Sequence, residues 1–303
     1  MTLEQFLKET NQTMDSLVLY DNEEEIIPQI RGNYRVIQYV KDKSYKFLLK
    51  AVTENHEVLK CITNQTEEMC LEAVKHDGRA LQYVINQTEK IVLESVKKYG
   101  WSLEWARIRT PEIELAAVKS FGRSLEFIEN QTPELCLEAV KSMGHALEYV
   151  KEQTEEMCLI AVKDSGFALK YVKKQTPDIV IAAVRQEFWC GKIDFSNREI
   201  LIALARNFHY HWGITLVTYF REIPEDLRDE ELCIIAVSNN GDILDYISAE
   251  KQTEKVCMAA IKNKPSSIQY VKNLTPEYCI YAVSLNKKAM EYIELNKLFD
   301  YTI

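Results

Sequence analysis

A capping-type residue recurs every 22 positions. Thr66, Thr88, Thr110, Thr132, Thr154 and Thr176 follow one another at that step, and Thr253 and Thr275 repeat it. Ser44 extends the series backward by one step, and Asp229 lies 24 residues before Thr253. With the threonine as position zero, position +5 holds Leu71, Leu93, Leu115, Leu137, Leu159, Ile181, Met258 and Ile280. Position +7 is Ala73, Ser95, Ala117, Ala139, Ala161, Ala183, Ala260 and Ala282, and +8 is valine or isoleucine throughout. Gly78, Gly100, Gly122, Gly144 and Gly166 share +12; Leu81, Leu103, Leu125, Leu147 and Leu169 share +15. Position +17 is aromatic: Tyr83, Trp105, Phe127, Tyr149, Tyr171, Tyr270 and Tyr292. A period of this length is the signature of a stacked-repeat architecture.

Each column has a physical reading. The threonine predicts an N-cap whose hydroxyl accepts from a free first-turn N–H. Pro111, Pro133, Pro177 and Pro276, or Glu67, Glu89, Glu155 and Glu254, follow it, and both types suit a first helical turn. Apolar residues at +3, +4, +7 and +8 form one helical stripe. Glycine at +12 reads as a C′ stop. A second, shorter helix carrying +15, +17 and +18 should follow. One such hairpin is too small to bury its own stripe and must stack on its neighbours. The expected fold is therefore all-α: an α-solenoid, or superhelix, of about ten to eleven 22-residue helical hairpins. The composition agrees, because nine glycines and seven prolines in 303 residues are too few for a turn-rich β fold.

The pattern divides the chain into four stretches. Residues 1–43 read as an N-terminal cap with a degenerate half-repeat beginning near Pro28, since Ile37, Tyr39 and Val40 match a second helix. Residues 44–186 are regular repeats, 187–228 an irregular aromatic-rich unit, and 229–303 regular repeats with a C-terminal cap. In the irregular unit, Ser196 or Asn197 is the expected cap, with Ile200, Leu201, Ala203 and Leu204 as the stripe and Tyr219 as the displaced aromatic. The segment 207–213 then becomes an enlarged loop. It gathers Phe208, His209, Tyr210, His211 and Trp212, which are the candidate partner-binding residues, because aromatic anchors dominate binding hot spots. The competing account is that these aromatics fill the core of a kink.

Cys70, Cys136, Cys158, Cys233, Cys257 and Cys279 all fall at +4, a column shared with Val92 and Val180. A column that accepts valine calls for a small buried apolar group. Stacked helices about 9–10 Å apart also hold equivalent cysteines beyond disulfide reach. Cys190, in the irregular unit, is the thiol to test for reactivity. His209 and His211 lack an evident third ligand, so no metal and no cofactor are expected. His56, His76 and His145 suggest no cluster. No nucleophile–base order or phosphate loop stands above the repeat, and no enzymatic activity is expected.

Lys75, Lys97, Lys119, Lys141, Lys163 and Arg185 share +9 and would align as a basic ridge. Such a ridge could follow a phosphate backbone. The same position also complements the helix dipole. Acidic residues at +2 (Glu68, Glu112, Glu134, Glu156, Asp178) oppose the ridge, and the net charge is −9, a poor balance for general phosphate binding. Gln65, Gln87, Gln131, Gln153, Gln175 and Gln252 precede the caps and are expected to link neighbouring turns by hydrogen bonds.

The pattern in Gln131–Val150, Gln-Thr-Pro-Glu followed by Cys-Leu, Ala-Val-Lys, Gly and Tyr-Val, resembles the helical-repeat domain-of-unknown-function proteins of giant DNA viruses of amoebae. The resemblance covers about 44–185 and 229–293. It implies a viral origin and an interaction role, and carries no catalytic activity. The expected function is a non-catalytic scaffold that binds another protein. The alternative is a nucleic-acid-binding repeat protein using the +9 ridge. No basic leader followed by a long apolar run begins the chain and no stretch could span a bilayer, so a cytoplasmic location is expected: host cytoplasm or virus factory. The off-pattern ends leave a symmetric homodimer open.

Overall fold

The computed structural model describes residues 23–40, 43–186, 193–207 and 216–293. Among the described residues there is no strand, and helices pack on their sequence neighbours. The chain forms two compact units, residues 1–152 and 153–303. Each is all-α and built from stacked hairpins, the α-solenoid arrangement expected from the period.

In the first unit the hairpins are Glu23–Gly32 with Tyr34–Tyr39, Tyr45–Glu54 with His56–Cys61, Glu67–His76 with Gly78–Tyr83, Glu89–Lys98 with Gly100–Trp105, Pro111–Ser120 with Gly122–Phe127, and Pro133–Ser142 with Gly144–Tyr149. The first member of each pair is an α-helix of 10 residues and the second a 3₁₀ helix of 6. The first pair corrects the expected half-repeat: Pro28 lies inside a complete helix that begins at Glu23.

Caps open the α-helices as the sequence predicts. Thr66 accepts from Met69 N–H at 3.3 Å, Thr132 from Leu135 N–H at 3.2 Å and Asp229 from Leu232 N–H at 2.9 Å. Thr275 is an exception, with no side-chain cap bond. The stripe is buried as expected; in the Thr66 repeat it is Met69, Cys70, Ala73 and Val74.

The second element is a 3₁₀ helix rather than a second α-helix. Its buried columns +12, +15 and +18 (Gly78, Leu81, Val84) are three apart, the spacing at which 3₁₀ side chains eclipse. The i→i+3 bonds follow that geometry: Val84 N–H donates to Leu81 O at 3.1 Å.

Glycine at +12 has a different role from the one expected. The α-helix ends on the preceding residue, Asp77, in extended conformation at φ −142°, and its N–H donates to Ala73 O. Gly78 then begins the 3₁₀ helix. It is small because the next repeat is close: a Cβ there would lie 2.7 Å from Ser95 O and 2.7 Å from Tyr99 Cβ. Gly100 and Gly122 meet the carbonyls of Ala117 and Ala139 in the same way.

The glutamine before each cap joins consecutive repeats. Gln65 Nε2 donates to Leu59 O and Tyr83 O, both at 2.9 Å, while its Oε1 accepts from Ile85 N–H at 2.9 Å. Leu59 and Tyr83 belong to successive 3₁₀ helices; Leu59 O already accepts from Ile62 N–H at 3.2 Å, and the glutamine adds a second bond there. Gln87, Gln131 and Gln252 make equivalent bonds to Trp105 O, Tyr149 O and Tyr270 O. Arg109 and Arg228 stand at this position in two repeats and reach the same kind of carbonyl with their guanidinium groups: Arg109 donates to Leu103 O and Phe127 O, and Arg228 to Ile223 O and Tyr246 O.

Two serine columns provide an internal comparison. Ser95 Oγ donates to Gly78 O at 2.8 Å and lies 2.8 Å from Ser102 Oγ. Ser124 and Ser267 occupy the same column as Ser102, but their counterparts to Ser95 are Ala117 and Ala260, and their hydroxyls have no partner. Ala80, Ala146 and Ala168 fill that column elsewhere without exposure. Ser124→Ala is therefore expected to raise stability by about 1 kcal/mol, and Ser102→Ala to lower it by about 1 kcal/mol. Urea unfolding of the two variants beside the parent chain measures the difference; equal shifts would remove the pairing argument.

In the second unit, regular hairpins (Glu155–Asp164 with Gly166–Tyr171; Glu230–Asn239 with Gly241–Tyr246; Glu254–Asn263 with Pro265–Tyr270; Pro276–Leu285 with Lys287–Tyr292) flank the irregular part. There, Asn197 opens the helix Arg198–Asn207: its carbonyl accepts from Leu201 N–H and its side chain from Glu199 N–H. The buried stripe is Ile200, Leu201, Leu204 and Ala205; Ala205 replaces the expected Ala203, which puts all four at the regular +3, +4, +7 and +8. An α-helix, Leu216–Glu222, then stands where other repeats have a 3₁₀ helix, and buries Tyr219 and Phe220.

Candidate functional site

The expected binding residues Phe208, His209, Tyr210, His211 and Trp212 lie outside the described residues, as does Cys190. The +9 cations are described, and in the first unit each has an acidic neighbour. Lys75 Nζ lies 2.9 Å from Glu72, Lys97 3.3 Å from Glu94, and Lys141 3.1 Å from Glu138. Lys119 reaches the same Glu138 at 3.8 Å. The glutamates stand at +6, one helical turn before Lys75, Lys97 and Lys141; Lys119, whose own repeat has Ala116 at +6, reaches the glutamate of the next repeat. The pairs are exposed and add little stability. They do place an opposing charge beside each cation that would meet a phosphate. Lys163 and Arg185, in the second unit, are also exposed.

The thiols of Cys70, Cys136, Cys158, Cys233 and Cys257 are buried, and those among the described residues are free. Burial pushes the thiols of Cys70, Cys233 and Cys257 up to about 11, far from a reactive thiolate. The +4 column has one departure. Glu114 stands there in the repeat where Arg109 replaces glutamine; burial raises its pKa and the Arg109 charge opposes that rise. Among the described residues, no group of three His, Cys, Asp or Glu side chains could hold a metal ion. No described helix is long and apolar enough to cross a membrane.

The outward edge of the 3₁₀ helices in the first unit carries a feature not visible in any single repeat. Positions +13, +16 and +17 face outward there, because +12, +15 and +18 face the neighbours. Lys60 Nζ sits 4.8 Å from the Tyr34 ring centroid and 4.3 Å from that of Tyr83, so one cation lies against rings from the repeats on either side. It also binds Glu57 at 2.8 Å, which raises the lysine pKa and lowers that of the glutamate. The Tyr83 hydroxyl donates to Glu57 at 3.2 Å. His56 stacks on Tyr83 with ring centroids 6.0 Å apart; burial lowers its pKa while Asp77 opposes that shift.

The arrangement recurs farther along the unit. The Arg123 guanidinium lies 5.9 Å from the Trp101 ring and 5.4 Å from the Tyr149 ring. Trp101 meets Phe127 edge-on at 4.9 Å and Phe121 at 5.7 Å. Tyr34, Tyr83, Trp101, Arg123, Phe127 and Tyr149 are half-buried, so part of each remains open to a partner. The aromatic +17 column is plain in the sequence, where it pairs with the apolar +18 on the second helix. The structure assigns full burial to +18 and leaves +17 at the edge.

Two stretches of this chain, 66–109 and 197–250, match a family model described as a domain of unknown function (DUF4116). Together they cover less than half of the chain. The first takes in the Thr66 and Thr88 repeats. The second begins at Asn197, the residue that opens the irregular helix, and runs on to Glu250. No curated protein and no solved structure matches the chain.

Proposed function

We propose that the chain is a non-catalytic helical-repeat scaffold that binds another protein, and that the cation–aromatic edge of the first unit is a contact surface. The observation that carries this reading is the placement of Lys60 and Arg123 against half-buried rings of neighbouring repeats. Trp, Tyr and Arg are the side chains most enriched at binding hot spots, and the folded chain already holds them in position. The other repeating polar groups are occupied: the glutamines bind backbone and the first-unit +9 lysines have glutamate neighbours. The resemblance to giant-virus repeat proteins supports a viral origin, so the partner is to be sought in host cytoplasm or the virus factory.

The test uses tagged full-length chain and the variants Trp101→Ala and Arg123→Ala, with bound protein identified by mass. Retention of a stoichiometric partner is expected to fall by about tenfold or more in each variant, equivalent to about 1.4 kcal/mol or more. Circular dichroism controls for folding. A partner held equally by all three chains would overturn the surface assignment, and the loop 207–213 replaced by a Gly/Ser linker would be the next variant.

Nucleic-acid binding through the +9 cations is the alternative. The glutamate beside each first-unit lysine weighs against it. No shift of labelled RNA or DNA is expected even at about 50 mM salt, where phosphate contacts are strongest.

A further inference from the structure

His56 stands in the column that closes the joint between repeats. Position +12 begins the 3₁₀ helix, and Gly78, Gly100, Gly122, Gly144, Gly166 and Gly241 hold it in six other repeats. At Gly78 the next repeat comes so near that a Cβ would lie 2.7 Å from Tyr99 Cβ. One repeat earlier the residue equivalent to Tyr99 is Asp77, and His56 brings a whole imidazole toward it. The His56 side chain is only 19% exposed, and its Nδ1 lies 3.6 Å from Asp77 Oδ2. Its ring stacks on Tyr83, from the same following repeat. The imidazole is thus a wedge between the Ser44 and Thr66 repeats.

The charges around this wedge are matched while it is neutral. Asp77 accepts from the Arg79 backbone N–H at 2.9 Å and from its guanidinium at 3.0 and 2.6 Å. Glu57 accepts from Lys60 at 2.8 Å and from the Tyr83 hydroxyl at 3.2 Å. Glu54, at the end of the preceding helix, is held by Arg31 at 2.7 Å. Each of these carboxylates has its cation, and two of the cations, Arg79 and Lys60, face His56 as like charges. A proton on the imidazole would add a further positive charge to a balanced set, where little water can screen it. Asp77 would attract that charge, but its oxygens are already shared with Arg79. The His56 pKa is accordingly lowered, with burial the largest cause.

We infer that protonation of His56 opens the joint between the Ser44 and Thr66 repeats and separates Lys60 from Tyr83, so that acid dismantles this part of the contact surface. The consequence for a bound partner rests on the function proposed above; the opening of the joint does not. The unfolded chain takes up the proton more readily than the closed joint. The joint is therefore at full stability above the ordinary histidine pKa of about 6.5 and loses stability as the pH falls below it. Histidine suits such a device because its charge changes close to neutral pH.

Hydrogen exchange of the full chain alone, at about pH 7.5 and about pH 5.5 and corrected for the intrinsic pH dependence of exchange, tests it. In the parent chain, His56–Cys61 and Gly78–Tyr83 are expected to open at least about threefold more readily at the lower pH. Gly100–Trp105 and Gly122–Phe127, which contain no histidine, should not change. His56→Gln should show no acceleration, although it keeps His76 beside Asp77. The imidazole proton resonance that is lost in His56→Gln should titrate, in the parent chain, below about 6.5. Acceleration that persists in His56→Gln would overturn the inference. So would equal acceleration throughout the unit, slower exchange in acid, or a His56 midpoint at or above about 6.5. Partner retention by Trp101→Ala and Arg123→Ala decides the contact surface separately.

Discussion

Gly78→Ala is expected to lower the stability of the first unit by about 3 kcal/mol, near the upper end of ordinary overpacking effects. The added methyl would fall 2.7 Å from the Ser95 carbonyl and 2.7 Å from Tyr99 Cβ. A carbonyl oxygen and a Cβ atom cannot swing aside as the end of a long side chain can. The hairpins must separate instead, which loosens the contact between consecutive repeats. The Ser95 hydroxyl bond to Gly78 O would be disturbed by the same movement. Gly32 is the control, since a Cβ there meets nothing within 4 Å. Gly32→Ala should be neutral, or stabilising by about 0.5 kcal/mol through the unfolded chain. Urea unfolding of both variants distinguishes close packing from backbone freedom. Equal effects at the two glycines would refute the close-approach account.

Gln65→Leu is expected to cost a similar amount, about 3 kcal/mol, for an unrelated reason. It would leave Leu59 O, Tyr83 O and Ile85 N–H without their side-chain partner at a part-buried position, and each such loss is worth about 1 kcal/mol. Gln65→Arg should recover about two thirds of that loss, because Arg109 reaches the corresponding carbonyls Leu103 O and Phe127 O. An arginine cannot accept from the N–H, so recovery should be incomplete. A thermal series of parent, Leu and Arg chains orders the three. An arginine variant as unstable as the leucine variant would mean that the glutamine acts by shape rather than through its bonds.

The caps and apolar stripe were legible because they are local. A threonine bonds three residues ahead, and the stripe follows the α-helical turn within one repeat. The 3₁₀ character of the second element was present in the columns too, since +12, +15 and +18 are three apart, but short apolar spacings also suit one α-helical face. The glycine was misread for a different reason. Its cause lies 17 residues away, at Ser95, and no signal within its own repeat distinguishes a close neighbour from a helix stop. The irregular helix was found with one error: Ala203 and Ala205 are the same residue type, and only the position of the Asn197 cap tells them apart.

The candidate surface was less legible than the fold. Lys60 meets Tyr34 from the preceding repeat and Tyr83 from the following one, so the cluster exists only after stacking. The +9 ridge was legible as a row of charges, but its partners depended on which of the nearby glutamates the lysines could reach. At +6 they are a helical turn away; the acidic row noticed in the sequence was the more distant +2.

The glutamine joint has a consequence for how such a chain can change length. Gln65 carries, within one side chain, the means to grip the module before it and to anchor its own. A duplicated 22-residue segment would arrive with its connector included, and an excised one would take its connector away. Growth and shrinkage by whole modules then need no compensating change elsewhere, which makes the gene tolerant of unequal recombination.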